Sequence, residues 1–115
     1  GAGLNLGWLA APWLQGRRVA YWGDLDTWGL HMLATARHHL PHLQALLMDA
    51  ATFSAHQHLA VAEPVHAPDS ACGTLAPDEA TLCVHLRTQQ KGRLEQEFVP
   101  TNAVHRAVRA WVDGD

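Results

Sequence analysis

The stretch YWGDLDTWG, residues 21–29, places Asp24 and Asp26 one residue apart, between an apolar run and a glycine. Unperturbed aspartates ionise near pH 4, so at neutral pH the pair repels itself. Two arrangements relieve that repulsion. The carboxylates can cap a turn or a helix start by accepting backbone N–H groups. Alternatively they can share a hard cation such as Mg²⁺, which takes one or two carboxylates together with waters and substrate phosphate. A cation held there polarises a phosphoryl group and stabilises attacking or leaving oxygens. On these residues alone both readings stay open. Asp49, which ends LLMD, reads first as the cap of a following helix and second as a further metal ligand. Glu95 and Glu97 of RLEQE read first as the wet face of a strand, and Glu95 joins the site only if that strand ends near the aspartates.

Other chemistry-bearing residues form weaker patterns. Among nine histidines, His38, His39 and His42 gather at a predicted helix end, where cationic imidazole suits the negative end of the helix dipole. His56 and His58 are two apart and share no helix face. No HExxH motif occurs, and a zinc site built on Cys83 and His85 ranks low. Of five tryptophans, Trp28 beside the acidic turn is the one placed to touch a ligand. No GxxxxGK[ST], GxSxG or GxGxxG pattern supports a nucleotide fold or a serine hydrolase.

The elements that must position these residues alternate along the chain. A helix is predicted over 4–11 and stopped by Pro12, a strand over 17–22, and a helix over 28–40 ended by Pro41. A second strand over 45–48 precedes a helix over about 51–60, and 61–74 reads as a loop. A helix follows from 75 to 90, with Pro77 in its first turn and Leu82, Cys83 and Leu86 on its apolar face. RLEQEFV alternates as a strand over 93–99, and an amphipathic helix capped by Thr101 or Asn102 covers 102–112. This order predicts a mostly parallel α/β sheet covered on both faces, in which ligands bind beyond the carboxyl ends of the strands.

At 115 residues the chain is expected to form one domain, and 48% apolar content excludes disorder by composition. A net charge of −3 gives no bulk nucleic-acid signature, so a basic footprint has to be local or supplied by a partner. The two cysteines, Cys72 and Cys83, are expected to be ordinary reduced thiols. No run approaches the ~20 apolar residues of a membrane span, and no charged-then-apolar leader opens the chain, which predicts a cytoplasmic protein.

The combination of YWGD-x-D, LLMD and RLEQE, within YWGDLDTWGLHMLATARHHLPHLQALLMDAATFSAHQ and LAPDEATLCVHLRTQQKGRLEQEFVP, resembles the C-terminal domain of the JetD family, the nuclease subunits of bacterial Wadjet plasmid-defence systems. The resemblance covers nearly the whole chain. It implies a Toprim-like fold related to the A subunit of topoisomerase VI. It also implies an Asp-x-Asp site, here Asp24 and Asp26, that acts with a glutamate from an earlier strand to hold Mg²⁺ or Mn²⁺ and cut DNA. Implied partners are plasmid DNA and condensin-like subunits, with room for a homodimer. Gly1-Ala2-Gly3 resembles the turn after the family's first strand, so that strand and its glutamate are expected to lie upstream of this chain, and the fragment alone is expected to be inactive. Trp28 departs from the family pattern, which carries histidine there. Topoisomerase VI relatives cleave through a tyrosine on another domain, whereas Tyr21 here lies inside the predicted strand; attack by water is the expectation.

Two other classes compete with this reading. DLDT after a strand resembles the DLDGT motif of haloacid-dehalogenase-type phosphatases, in which the first aspartate is the nucleophile and the second a general acid. The motif glycine is missing here and no later Asp-Asp pair is evident. The other class is a non-catalytic docking or DNA-positioning module whose acidic turn is only a capped loop.

Overall fold

Asp26 starts the longest buried element of the chain. In the computed structural model, which describes residues 6–114, its side chain caps helix α2 (Thr27–His39) by accepting the Gly29 N–H. Leu30, Leu33 and Ala36 of that helix are buried; the apolar stripe expected on Leu30, Leu33 and Ala34 is met at the two leucines, while Ala34 is half-buried and Ala36 takes its place in the core. Arg37, His38 and His39 lie in its last turn, where positive charge suits the dipole. Helix α4 (Pro77–Thr88) packs against α2 and contributes Leu82, Cys83 and Leu86 to the core. Helix α3 (Ala50–Ala55) adds Phe53, and Leu25, Leu94, Leu9 and Leu14 belong to the same cluster.

Strands β1 (Ala20–Tyr21) and β2 (Gln44–Ala45) pair in parallel, with Ala20 opposite Gln44 and Tyr21 opposite Ala45. The chain is therefore mixed α/β. The sheet, however, is far smaller than the alternation of elements predicts: among the described residues it has two short strands. The strand predicted over 45–48 stops early because Leu47 takes a left-handed backbone, φ 59°, which no strand accommodates.

The strand predicted over 93–99 is likewise replaced. Arg93 and Leu94 make isolated antiparallel bridges to Val61 and Leu25, after which Gln96–Phe98 winds into a 3₁₀ turn. The cause is local: the Gln96 N–H donates to Asp24 Oδ1 at 2.7 Å, so a ladder cannot continue past Glu95.

Other boundaries shift for identifiable reasons. Gly1-Ala2-Gly3 and the start of the predicted first helix lie outside the described residues. Gly7–Ala10 is a 3₁₀ turn, and Pro12 does not stop a helix but opens α1 (Pro12–Gln15), where a missing N–H costs nothing. The helix expected over 51–60 ends at Ala55 and resumes as a 3₁₀ turn, Gln57–Leu59, while the loop holds another, Asp69–Thr74. Helix α5 (Thr101–Asp113) has Pro100 at its N-cap, not Thr101 or Asn102; Asn102 Oδ1 instead accepts the Ala103 N–H at 2.9 Å. Cys72 and Cys83 are not free thiols: the 3₁₀ segment lies against α4 and the two sulfurs are bonded, with Cα atoms 5.7 Å apart. No helix among the described residues is long and apolar enough to cross a membrane.

Candidate functional site

The acidic turn leaves the carboxyl end of β1 and borders a cleft of about 430 Å³. Tyr21, Asp24, Asp26, Trp28, Arg93 and Gln96 line it. Each aspartate uses one carboxylate oxygen on backbone and turns the other toward the same cation. Asp24 Oδ1 accepts from Gln96 N, and Asp26 Oδ1 accepts from Gly29 N at 2.6 Å. Asp24 Oδ2 lies 3.5 Å from Arg93 Nη2, and Asp26 Oδ2 lies 3.5 Å from Arg93 Nε. Glu95 Oε1 is also 3.5 Å from Arg93 Nη2.

The sequence-derived residues therefore separate into two places. Asp24, Asp26 and Glu95 meet around Arg93. Asp49 caps α3, accepting from Thr52 N at 2.8 Å, and lines a different cleft beside Asp78, Glu79 and His85. The parallel pairing of β1 with β2 does form, but the turn at Leu47 carries Asp49 away into its cap.

Gly29 makes the turn tight enough for this geometry. A Cβ there would overlap the Asp24 carbonyl oxygen and lie 3.2 Å from Asp26 Oδ1. The glycine of DLDTWG therefore lets the acidic loop fold back over the first turn of α2. Tyr21 closes the other side, its hydroxyl donating to the Gly29 carbonyl at 3.0 Å.

The electrostatics differ between the two aspartates. Asp26 is buried, with 5% of its side chain exposed, and its pKa rises from 3.8 to about 6. Burial is the main cause, and Glu63 and Asp24 add repulsion; the Gly29 N–H and Arg93 oppose the rise. Asp24 is much more open, with 36% of its side chain exposed. Tyr21 is pushed up to about 12 by burial and by the neighbouring aspartates, so at neutral pH its hydroxyl stays protonated.

Two positions at the site escaped the sequence reading. Glu63, inside the predicted loop, has only 2% of its side chain exposed and caps α2 from a distance. It accepts from Thr27 N at 3.0 Å, Thr27 Oγ1 at 2.8 Å and Trp28 N at 3.3 Å. A helix start always needs acceptors, but nothing in the sequence says which distant segment supplies them. Thr27 Oγ1 in turn accepts from Ala67 N at 2.8 Å, and Trp28 Nε1 donates to the Val65 carbonyl at 2.7 Å, so the 61–74 loop clamps the start of α2 from behind. Arg93 is the other omission. Its signal was the repulsion of the aspartates, which requires a nearby cation whether or not a metal is bound.

Among the described residues, no group of three or more His, Cys, Asp or Glu side chains is arranged to hold a metal ion. The donor set on Arg93 still suits a hard cation in part. Two carboxylate oxygens face one point, and the guanidinium there is loosely bonded: its Nε is buried with no hydrogen-bond partner. Two carboxylates suffice for Mg²⁺ when water and phosphate complete the sphere.

No curated protein matches the chain. Residues 1–108 match the family model described as Wadjet protein JetD, C-terminal. That span is nearly the whole sequence, and the chain accordingly belongs to the JetD C-terminal family, which makes it a component of the Wadjet plasmid-defence system.

Proposed function

We propose that this chain is the Toprim-like, metal-dependent DNA nuclease domain of its Wadjet system, related to the A subunit of topoisomerase VI and acting in the cytoplasm. The observation that carries the proposal is the convergence of Asp24 Oδ2 and Asp26 Oδ2 on one cationic point, in a cleft beyond the carboxyl end of β1. Asp24 and Asp26 would hold Mg²⁺ or Mn²⁺, with Glu95 as a further partner. When bound, the ion supplies polarisation of the phosphoryl group and stabilisation of its oxygens.

The chain's own groups set the terms of the reaction. Gln96 N and Gly29 N fix the two carboxylates so that each turns one oxygen to the cleft. Asp26, with its pKa near 6, is mostly ionised and able to bind a cation at neutral pH. Tyr21 is a poor nucleophile, because its hydroxyl is protonated and bonded to the Gly29 carbonyl, so attack falls to water. With a net charge of −3 the domain offers DNA no general attraction. Delivery of plasmid DNA by condensin-like partner subunits accounts for that.

The test is Mn²⁺-dependent plasmid cleavage by the full-length protein carrying Asp24→Ala or Asp26→Ala. Loss of cutting in both variants is expected, and undiminished cutting in both removes the proposal. A docking or DNA-positioning module is the second reading, favoured by the fact that Arg93 already supplies a positive charge to the carboxylates. Under that reading a calorimetric titration of the full-length protein with Mn²⁺ shows no heat.

A further inference from the structure

Three carboxylates converge on the guanidinium of Arg93, yet none bonds it closely. The three contacts are 3.5 Å each, whereas unconstrained charge-assisted pairs close to about 2.7–2.9 Å. Backbone locks hold the partners apart. Arg93 exchanges both backbone hydrogen bonds with Val61, at 2.9 and 2.8 Å, and Leu94 does the same with Leu25. The remaining oxygens of Asp24 and Asp26 are tied to Gln96 N and Gly29 N. The guanidinium therefore occupies the point the Oδ2 atoms face without satisfying it, and its buried Nε has no acceptor.

The exits from this point are unequal. The Arg93 side chain is 31% exposed and Glu95 25%, whereas Asp26 is only 5% exposed. Arginine can move its head group outward with Glu95 as a companion, while Asp26 stays where its cap holds it.

We infer that Arg93 is an exchangeable counter-cation: it neutralises Asp24 and Asp26 when no divalent ion is bound, and it yields their Oδ2 atoms when one enters. Arg93 thereby sets the metal affinity of the cleft. The inference rests on the reading of Asp24 and Asp26 as metal ligands. A guanidinium that only buttressed the fold would leave metal affinity unchanged or lower it on removal. A competing one raises affinity on removal, because the entering ion no longer displaces or faces a positive charge at contact distance.

The experiment is a Mn²⁺ titration followed by electron paramagnetic resonance of the free ion, on the full-length protein and on its Arg93→Gln and Arg93→Lys variants, with circular dichroism confirming the fold. Arg93→Gln is expected to bind Mn²⁺ at least about tenfold more tightly than the parent. Arg93→Lys is expected to gain a few-fold, because a compact ammonium cannot span both carboxylates as the planar fork does. If Arg93→Gln does not fold, Arg93→Lys decides alone. Binding by the parent that neither folded variant strengthens overturns the exchange and leaves the metal reading intact. No binding by the parent or by any folded variant removes both.

Discussion

Replacing Asp26 by asparagine isolates the cost of keeping a charge at the bottom of the cleft. The Asp26 pKa rises from 3.8 to about 6 in the folded chain, chiefly through burial. The native state therefore holds the Asp26 proton more tightly than the unfolded chain does, and between those two values stability falls as pH rises. Below about pH 4 both states are protonated and nothing is lost; above about pH 6 the loss is complete. A rise of about 2 units corresponds to roughly 3 kcal/mol at neutral pH, an upper figure for one buried group. Asparagine keeps the N-cap acceptor for Gly29 N. It also points an amide donor at Arg93, an unmatched contact that returns about 1 kcal/mol or more. The expected net gain for Asp26→Asn is about 1–2 kcal/mol at about pH 7.5, shrinking toward zero or below at about pH 4.5. Urea unfolding of both proteins at the two pH values, with no divalent ion present, measures it. A variant that is less stable at the higher pH, or whose difference from the parent does not change with pH, refutes the reasoning.

Three further perturbations probe the supports of the cleft. Gly29→Ala forces a Cβ into the Asp24 carbonyl and should cost at least about 2 kcal/mol in urea unfolding, together with loss of Mn²⁺ binding. Glu63→Ala leaves Thr27 N, Thr27 Oγ1 and Trp28 N without their acceptor and should cost about 2–4 kcal/mol, read as a lowered denaturation midpoint. Tyr21→Phe removes the hydrogen bond to the Gly29 carbonyl and should cost about 1 kcal/mol while leaving plasmid cleavage by the full-length protein in place. Abolished cleavage by a folded Tyr21→Phe protein would contradict attack by water.

Much of what positions the site was legible in the residues themselves. The apolar stripe of α2, the cap ahead of it, the parallel pairing of β1 with β2 and the proline at the first turn of α4 all arise from local pattern. What escaped were effects that join distant segments. RLEQEFV alternates like a strand, but the Asp24 side chain captures the Gln96 N–H and winds the following residues into a turn. LLMD looks like a strand leading to a ligand, but Leu47 takes a left-handed backbone and Asp49 caps a helix facing another cleft. Glu63 and Arg93 serve the acidic turn from about 36 and 67 residues away, distances over which hydrophobic periodicity carries no information. The disulfide was missed for the same kind of reason, since Cys72 and Cys83 meet only because a 3₁₀ segment packs on α4.

The shared site on Asp24 and Asp26 is tested most directly by crystals of the full-length protein soaked in Mn²⁺ and measured for anomalous scattering at the manganese edge. The expected result is one peak in contact with Asp24 Oδ2 and Asp26 Oδ2, with the Arg93 guanidinium moved outward. Saturating Mn²⁺ with no peak between these carboxylates, and Arg93 still in place, would contradict a metal-dependent centre here.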